Sequence, residues 1–419
     1  MKRLLGEAGF FAYLDALNQP YTRALRVNLL LRPDGTPPCP IEGLGAPVPW
    51  AKGAYFVEGD ARPGLSPLHE GGLFYMQEPS ALTAVTALDP QPGERVLDLC
   101  AAPGGKSTQI AALMAGRGLL CCNEPIPSRA QILSRNIERM GVRNAVVLIA
   151  MPDALAPRFP AFFDRILVDA PCSGEGMFRR QPEARDEWDA DAPRRCADRQ
   201  MEILAQAAKM LRPGGTMVYS TCTFNDTENE GVLKRFLALH PEFSLVPFAL
   251  PGLPEAKDGY LHLYPHEMRG EGHFVSRLKK ADGADEADAP GQAAPQRKAP
   301  VRAAAKGKAP APIALPDVFS DAFAPERLYT AGDALWMLPE GISIERLSGL
   351  RVLRTGLLLA HAEGKRSEPD HALAMALRPE EAARTASLTQ TQALAYQAGE
   401  TLSLGDLPGG YTLLFCEGV

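Results

Sequence analysis

Two cysteines stand in polar turns that directly follow apolar segments. Cys172 lies in Asp169-Ala-Pro-Cys-Ser-Gly, and Cys222 lies in Ser220-Thr-Cys-Thr. A cysteine is most often a small buried apolar residue, but the neighbours of these two are typical of open turns. A thiol in such a turn is accessible to a ligand, and its thiolate is a nucleophile. These two turns are the first candidates for chemistry.

A glycine-rich turn is the second candidate. In Asp98-Leu-Cys-Ala-Ala-Pro-Gly-Gly-Lys-Ser107, a carboxylate ends an apolar run and a helix start follows. Gly104 and Gly105 let the backbone approach a ligand, and the helix N-terminus favours an anionic group. A phosphate-binding loop of nucleoside triphosphatases is disfavoured, because Cys100 stands where that loop needs a glycine. The G-x-G-x-x-G spacing of dinucleotide sites is also missing.

Acidic residues recur at the ends of successive apolar runs. After Asp98 come Glu124, Asp153 and Asp169. An acid after the second strand of a parallel sheet suits ribose hydroxyls, and one after the third suits an adenine amino group. Taken singly, each acid could equally cap a helix or solvate a loop. Four in order beside the glycine turn indicate a nucleoside crevice with no site for a pyrophosphate.

A parallel sheet is needed to bring these turns together. Five short apolar runs predict strands, at residues 95–100, 118–124, 145–149, 164–169 and 216–220. Helical spacing between them predicts helices at residues 107–115, 129–140 and 199–211. Strands that alternate with helices imply an α/β fold with a doubly wound, mainly parallel sheet. Its carboxyl edge would gather the turns.

The remaining chain divides by composition. Residues 1–85 are predicted to form an N-terminal α+β region, and residues 86–278 the α/β domain. Residues 279–312 contain no aromatic side chain and one branched apolar residue, Val301, so they cannot bury a core and are predicted to be a flexible linker. Short apolar runs broken by Gly and Pro predict a small β-rich α+β region over residues 313–419.

Charge and cysteine content exclude several classes of protein. The 419 residues carry 44 Lys+Arg and 50 Asp+Glu, a net charge of −6, so a polyanion partner must be held by local basic patches. None of the eight cysteines forms a C-x-x-C pair, which argues against a metal ribbon or a dithiol redox site. No apolar run approaches the ~18 residues of a membrane span. A soluble cytoplasmic protein with reduced thiols and no membrane partner is expected.

The cysteine motifs carry a resemblance to a known family. The chain resembles the RNA 5-methylcytosine methyltransferases of the Nop2/Sun type, most closely the bacterial branch that modifies small-subunit ribosomal RNA. The paired Asp169-Ala-Pro-Cys172 and Ser220-Thr-Cys-Thr-Phe224 motifs are specific for this family, whereas the glycine turn alone is not. The resemblance covers most of the chain, and other matching stretches lie at residues 77–80, 98–107, 123–124, 213–215 and 270–272.

The resemblance implies a fold, a reaction and partners. The fold would be a Rossmann-like methyltransferase domain between an N-terminal RNA-binding region and a C-terminal PUA-like region. The enzyme would transfer a methyl group from S-adenosylmethionine to carbon 5 of cytosine in RNA, with ribosomal RNA or the small ribosomal subunit as partner. A monomer is expected. Relatives continue past Cys416-Glu-Gly, whereas this sequence stops at Val419, so a truncated PUA-like region is also expected.

The resemblance also assigns roles to residues. Cys222 would add to carbon 6 of the base, Asp169 would hydrogen-bond or protonate the ring nitrogen, and Cys172 would release the product. Lys106 would reach the same crevice, or else contact backbone at its helix N-terminus. The cofactor is expected to contact Cys100, Ala101, Ala102, Pro103, Gly104, Gly105, Lys106, Glu124, Arg129, Asp153 and Asp169.

Contacts to RNA are expected from arginines and aromatic residues. Phe178 and Trp188 are candidates to line the route of a base taken out of its stack, but core packing is the favoured role for Trp188. His273 stands where relatives often have an aromatic residue, and the core is expected to absorb it. Two groups of arginines are candidates for phosphate contacts, although interleaved acids indicate that part of the second is a salt-bridged surface: Arg23, Arg26 and Arg32; and Arg179, Arg180, Arg185, Arg194, Arg195 and Arg199.

Three other functions stay open at this point. A DNA cytosine methyltransferase would use Cys172 as nucleophile, but it would carry a Glu-Asn-Val-type motif and would leave the Cys222 motif unexplained. An amino-group methyltransferase would carry Asn/Asp-Pro-Pro-aromatic in place of Asp169-Ala-Pro-Cys172. A ribosome-assembly RNA-binding protein with weak catalysis would not need these motifs intact.

Overall fold

The structure is a computed structural model. It describes residues 1–181, 183–283, 325–363, 366–407 and 409–418. Most of the predicted linker, residues 279–312, lies outside the described residues. Its first two residues continue a strand of the central sheet, so the ordered part extends past the predicted start of the linker.

The N-terminal region is a helix followed by a small antiparallel sheet. Its elements are α1 (Lys2–Leu17), β1 (Arg23–Val27), β2 (Leu44–Pro47), β3 (Ala54–Val57), α2 (Pro67–Glu70) and β4 (Phe74–Gln77). The strands lie in the order β2-β3-β1-β4, and all neighbours are antiparallel. Leu25, Val27 and Phe74 alternate onto one buried face, which packs on Leu388 and Cys416 of the C-terminal region.

The central region alternates strands and helices. Its elements are α3 (Leu82–Leu88), β5 (Arg95–Asp98), α4 (Gly105–Leu113), β6 (Leu119–Asn123), α5 (Pro127–Arg139), β7 (Ala145–Leu148), α6 (Pro152–Leu155), β8 (Phe163–Asp169), α7 (Glu183–Asp186), α8 (Ala192–Met210), β9 (Leu211–Thr221), α9 (Glu230–Leu239), β10 (Phe243–Leu245), β11 (Tyr260–Leu263) and β12 (His273–Lys280). Helix α8 begins seven residues before the predicted start, since Pro193 in its first turn gives up no needed hydrogen bond.

The predicted doubly wound parallel sheet is confirmed. Strands β9, β8, β5, β6 and β7 are neighbours in that order and run parallel. Strand β12 adds antiparallel to β9, and β10 and β11 pair with β12. In β5, Val96 packs in one apolar layer and Leu97 in the other. Both faces of the sheet are covered, which is why its strands are almost wholly apolar in sequence.

The C-terminal region is α+β. Its elements are β13 (Leu328–Ala331), β14 (Ala334–Met337), α10 (Ile344–Leu347), β15 (Val352–Arg354), β16 (Leu357–Glu363), β17 (Arg366–Pro369), α11 (His371–Ala376), β18 (Thr385–Leu388), α12 (Gln390–Gln397) and β19 (Leu413–Cys416). Strands β13, β14, β16 and β17 form an antiparallel sheet, while β18 and β19 form a parallel pair.

A strand pairing and two ion pairs join the C-terminal region to the central region, in addition to the covalent chain. Strand β15 pairs antiparallel with β7, with Val352 opposite Leu148. The buried guanidinium of Arg354 pairs with Glu138 of α5, and Arg143 pairs with Glu381. Within the described ranges, no helix is both long and apolar enough to cross a membrane.

Candidate active site

The glycine turn (residues 98–107) and the two cysteine turns meet at one edge of the sheet. Strand β8 lies between β5 and β9, and its last residue, Asp169, is opposite Ser220. Asp98 ends β5 next to Leu167. Because the three strands are parallel, their carboxyl ends open into the same crevice. The residues of these three turns therefore lie around one crevice.

The two thiols of the cysteine turns are in contact. The Sγ atoms of Cys172 and Cys222 are 3.2 Å apart, and the Cys222 backbone N–H lies 3.3 Å from the Cys172 Sγ. Both side chains are half-buried. The contact with Cys222, and then burial, raises the pKa of the Cys172 thiol well above its ordinary value. Cys172 therefore keeps its proton at neutral pH.

A buried carboxylate ties the two cysteine turns together. Glu228 accepts hydrogen bonds from the Ser173 N–H (3.0 Å) and from its hydroxyl. Glu228 also accepts from Gln200 Nε2 and Asn225 Nδ2, both at 2.8 Å. The Cys222 carbonyl accepts from the Gly176 N–H at 2.8 Å. Sequence reasoning missed Glu228, because nothing local separates a buried acid from a solvated one in the polar run that ends at residue 230.

Asp169 forms the charged centre of the crevice. Its Oδ2 accepts from Lys106 Nζ at 2.8 Å, and its Oδ1 accepts from Ser220 Oγ at 2.8 Å. Burial alone would raise the pKa of Asp169, but the positive charge of Lys106 and the contact with His273 outweigh it and hold the pKa well below its ordinary value. Asp169 is thus an anion. It accepts hydrogen bonds in this state and cannot donate one.

Lys106 donates a hydrogen bond to the carboxylate of Asp169. Burial lowers the pKa of Lys106, but the charge and hydrogen bond of Asp169, together with the charges of Cys222 and Asp98, outweigh burial, so the net pKa is raised and the ammonium is kept. Lys106 therefore points into the crevice, as its place in the glycine turn predicted, and the alternative backbone contact is wrong.

The glycine turn is held from helix α5. Gly104 has φ +114°, and a Cβ there would lie 3.2 Å from Leu133 Cδ1, so only glycine fits without strain. The carbonyl of Ala102 accepts from Arg129 at 3.2 Å, and that of Pro103 accepts from Asn136 at 2.9 Å. These contacts shape the turn before any ligand arrives. Cys100 in the turn is half-buried, and burial raises its pKa.

The strand-end acids differ in environment. Asp98 is fully buried and accepts from Ser107 Oγ at 2.7 Å, and burial raises its pKa to about 7. Its Oδ1 has no hydrogen-bond partner among the described residues. Glu124 is buried and pairs with Arg129 at 3.2 Å. Asp153, in the first turn of α6, is exposed. Orphaned and half-paired carboxylate oxygens fit the donor groups of a nucleoside and disfavour a pyrophosphate.

Two predicted phosphate contacts are wrong. Arg26 is buried, donating to Thr108 Oγ1 at 2.8 Å and to the Gly105 carbonyl at 3.3 Å. Arg179 is buried in an ion pair with Glu271 and also donates to the Ala16 carbonyl. Both arginines connect the N-terminal region to the central region. The amino-acid sequence does not distinguish a buried arginine from a solvated one, because the long amphipathic side chain is found in both environments.

Three further side chains test predictions made from the sequence. Trp188 is 37% exposed, so the favoured prediction that it packs in the core is wrong. Arg195 pairs with Asp189 at 2.7 Å on the surface, which confirms a salt-bridged face there. His273 is buried, as predicted, and its Nε2 lies 3.5 Å from Asp169 Oδ1. Across the described part of the chain, no cluster of His, Cys, Asp and Glu could hold a metal ion.

The comparison with sequence families divides the chain in three. Residues 85–279 match the family described as 16S rRNA methyltransferase RsmB/F. Residues 1–79 match the N-terminal domain of 16S rRNA methyltransferase RsmF, and residues 316–377 match the RsmF rRNA methyltransferase first C-terminal domain. Curated proteins named ribosomal RNA small subunit methyltransferase F are similar over 93% of the chain. The Enterobacter sp. protein is 35% identical with 83% of it covered, and that of Escherichia coli O139:H28 is 34% identical with 84% covered.

Solved structures agree in fold. A methyltransferase homologue from Pyrococcus horikoshii is 29% identical, with TM-score 0.55, over 67% of this chain and 97% of that one. NSun6 from the same organism, determined with SFG, is 22% identical, with TM-score 0.57, over 67% and 96% of the two chains. These matches confirm the Rossmann-like methyltransferase fold and the predicted resemblance. The chain belongs to the RsmF branch of the 16S rRNA methyltransferase RsmB/F family.

Proposed function

We propose that this protein transfers a methyl group from S-adenosylmethionine to carbon 5 of cytosine in RNA, and that small-subunit ribosomal RNA is the substrate. The observation that carries the proposal is the pair of thiols 3.2 Å apart beside the ion pair of Lys106 and Asp169. Addition to carbon 6 and removal of the proton from carbon 5 need two reactive groups within reach of the same base. The names of the relatives support methylation of small-subunit ribosomal RNA.

The crevice fits the proposed cofactor. The orphaned buried Oδ1 of Asp98, the Glu124 carboxylate and the close-packed glycine turn suit a nucleoside carrying an amino acid. NSun6 of P. horikoshii was determined with SFG, an analogue of S-adenosylmethionine. S-adenosylmethionine, when bound, supplies an electrophilic methyl group. The residues proposed to hold it are Cys100, Ala101, Ala102, Pro103, Gly104, Gly105, Lys106, Glu124, Arg129, Asp153 and Asp169.

The chain's own groups account for activation of the base. Carbon 5 of cytosine is a poor nucleophile. Addition of the Cys222 thiolate to carbon 6 breaks the 5,6 double bond and makes carbon 5 enamine-like. The positive charge of Lys106 favours the thiolate form of Cys222, and its ammonium group donates a hydrogen bond to the cytosine ring. Asp169 holds that ammonium group in place. Asp169, being ionised, accepts from the exocyclic amino group of the base.

Cys172 is proposed to act in release. While both thiols are free, contact with Cys222 keeps the proton on Cys172. Once the Cys222 sulfur is bonded to carbon 6, it no longer raises the pKa of Cys172, and only burial and Glu228 still do so. Cys172 can then give its proton to solvent and take the proton of carbon 5. The electrons of the C–H bond restore the double bond, and the Cys222 thiolate leaves. One chain contributes every group, which supports action as a monomer.

The test uses cysteine variants with ribosomal RNA and labelled S-adenosylmethionine. Cys222→Ala should give neither product nor adduct, since the attacking sulfur is missing. Cys172→Ala should accumulate a covalent protein–RNA adduct that survives a denaturing gel, because release is blocked. Cys39→Ala, which removes a half-buried thiol of the N-terminal region, should behave as the wild type.

Each competing function has its own outcome. Methylation by Cys222→Ala would refute the assignment of the nucleophile. Label on DNA and not on RNA would favour the DNA cytosine methyltransferase with Cys172 as nucleophile. Label on the amino nitrogen of the base, seen by mass spectrometry of nucleosides, would favour an amino-group methyltransferase. RNA binding without label would favour an assembly role.

A further inference from the structure

A buried histidine touches the charged centre of the crevice. His273 begins β12, which pairs with β9 so that Phe274 is opposite Thr221. This register places His273 beside the Cys222 turn. Its side chain is 3% exposed, and its Nε2 lies 3.5 Å from Asp169 Oδ1. That Nε2 has no hydrogen-bond partner in the described part of the chain. Buried polar atoms are normally satisfied, so this one is held ready for a partner.

Asp169 needs such a partner when a base arrives. Its two oxygens are already used, Oδ2 by Lys106 and Oδ1 by Ser220. A cytosine that bonds to the ion pair draws Lys106 or a carboxylate oxygen towards itself. A carboxylate removed from bulk water is costly without hydrogen bonds, and it would rotate towards its remaining donors. His273 Nε2 already contacts Asp169 Oδ1 at 3.5 Å, which is long for a hydrogen bond, so a small movement would shorten this contact to full hydrogen-bond length.

We propose that His273 is a positioning residue for Asp169. Its Nε2–H closes onto Oδ1 when the target cytosine engages Lys106 and Asp169, and it holds the carboxylate in the orientation that meets the base. This inference rests on the proposed function. It concerns how the ion pair stays aligned during attack by Cys222, and it assigns His273 no contact with the base.

The test separates the hydrogen bond from the packing of the ring. His273→Gln and His273→Met are unbranched and of similar length, but only glutamine can donate. The hydrogen bond to a charged group predicts a kcat about 10-fold lower for His273→Met, with the KM for RNA changed less than about 2-fold. His273→Gln should recover kcat to within about 3-fold of wild type. A purely structural histidine would instead make the two variants equally active.

Adduct formation locates the affected step. In a Cys172→Ala background, His273→Met should slow the appearance of the covalent adduct by the same factor of about 10, since alignment precedes attack. His262→Phe is the matched control, because His262 is a partly buried histidine on the adjacent strand β11 that pairs with Glu230 instead of Asp169. It should leave kcat unchanged.

The outcomes are separable from those of the proposed function. If wild type methylates RNA and His273→Met keeps full kcat, the inference is overturned and the proposed function stands. If His273→Met and His273→Gln lose kcat equally, the role is packing and the inference is also overturned. If wild type puts no label on cytosine, the proposed function itself fails. His273→Phe, which preserves an aromatic ring, should match His273→Met and provides a second variant should either unbranched one fail to fold.

Discussion

Two carboxyl groups at neighbouring strand ends, those of Asp98 and Asp169, differ in how far they are ionised at neutral pH. Asp98 is fully buried with one hydroxyl donor, Ser107 Oγ, and its pKa is raised to about 7. Asp169 is partly open to the crevice and paired with Lys106, and its pKa is lowered. The difference follows from the partner: an ammonium stabilises the anion, whereas a hydroxyl does so only weakly. The same residue type therefore serves as a near-neutral group in one turn and as an anion in the next.

Asp98 should make stability depend on pH. Its folded pKa of about 7 lies above the unfolded value of 3.8. It therefore supports the fold fully at low pH, and this contribution is lost as pH rises through 7. Asp98→Asn cannot titrate. Relative to that variant, the free energy of unfolding of wild type should fall by about 3 kcal/mol between pH 5 and pH 8, measured by urea denaturation without cofactor.

The control for Asp98 is an exposed acid. Asp153→Asn removes a solvent-exposed carboxylate and should keep the pH dependence of wild type. Parallel curves for wild type and Asp98→Asn would contradict the assignment of a raised pKa to Asp98.

Buried polar side chains join elements that are far apart in sequence. Glu228 connects the turn after β8 to the turn after β9, and Arg26 connects β1 to the start of α4. Burial lowers the pKa of Arg26 to about 10, so placing this charge inside is costly. The hydrogen bonds to Thr108 and the Gly105 carbonyl offset that cost and brace the helix start that closes the glycine turn.

Arg26→Ala should weaken the fold. The change leaves a cavity and unpaired acceptors, so the free energy of unfolding should fall by about 3 kcal/mol, measured by urea denaturation. Arg32→Ala, a change at a partly exposed arginine of the same predicted group, should cost less than about 0.5 kcal/mol. If Arg26→Ala kept wild-type stability and lost only RNA affinity, the original prediction of a phosphate contact would be restored.

The net charge of −6 does not show which arginines of the molecule are buried and which are available to RNA. Arg26, Arg179 and Arg354 are buried in contacts between regions. Fewer arginines therefore remain for RNA than the count implies, and those that remain must act as local patches. The buried ones instead join the N-terminal, central and C-terminal regions to one another.

Arg354 should couple the C-terminal region to the central sheet. It is 4% exposed and pairs with Glu138, which is 28% exposed and keeps a contact with His371 at 3.0 Å. Removing one partner of a largely buried pair leaves the other charge uncompensated. Arg354→Ala should therefore lower stability by about 2 kcal/mol and broaden or split the calorimetric transition. Arg351→Ala, three residues earlier and exposed, should leave one sharp transition. An unchanged transition in Arg354→Ala would show that β15 docks without the pair.

The amino-acid sequence by itself determined the alternating strands and helices, the three turns and the residue types that carry chemistry. These are local properties: apolar runs mark buried strands, glycine and proline end elements, and a motif is read from adjacent residues. The sequence also placed Cys172, Cys222, Asp169 and Lys106 at one edge, because parallel strands align their carboxyl ends.

Only the tertiary structure decided which charged side chains are buried and with whom they pair. His273 meets Asp169 across more than a hundred residues, and β15 pairs with β7 across about two hundred. Burial, pKa and hydrogen bonding depend on such distant neighbours, since a side chain's solvation is set by everything packed around it. Local patterning does not show those neighbours, which is why Arg26 and Arg179 were assigned wrongly, the contact between His273 and Asp169 was not foreseen and Glu228 was missed.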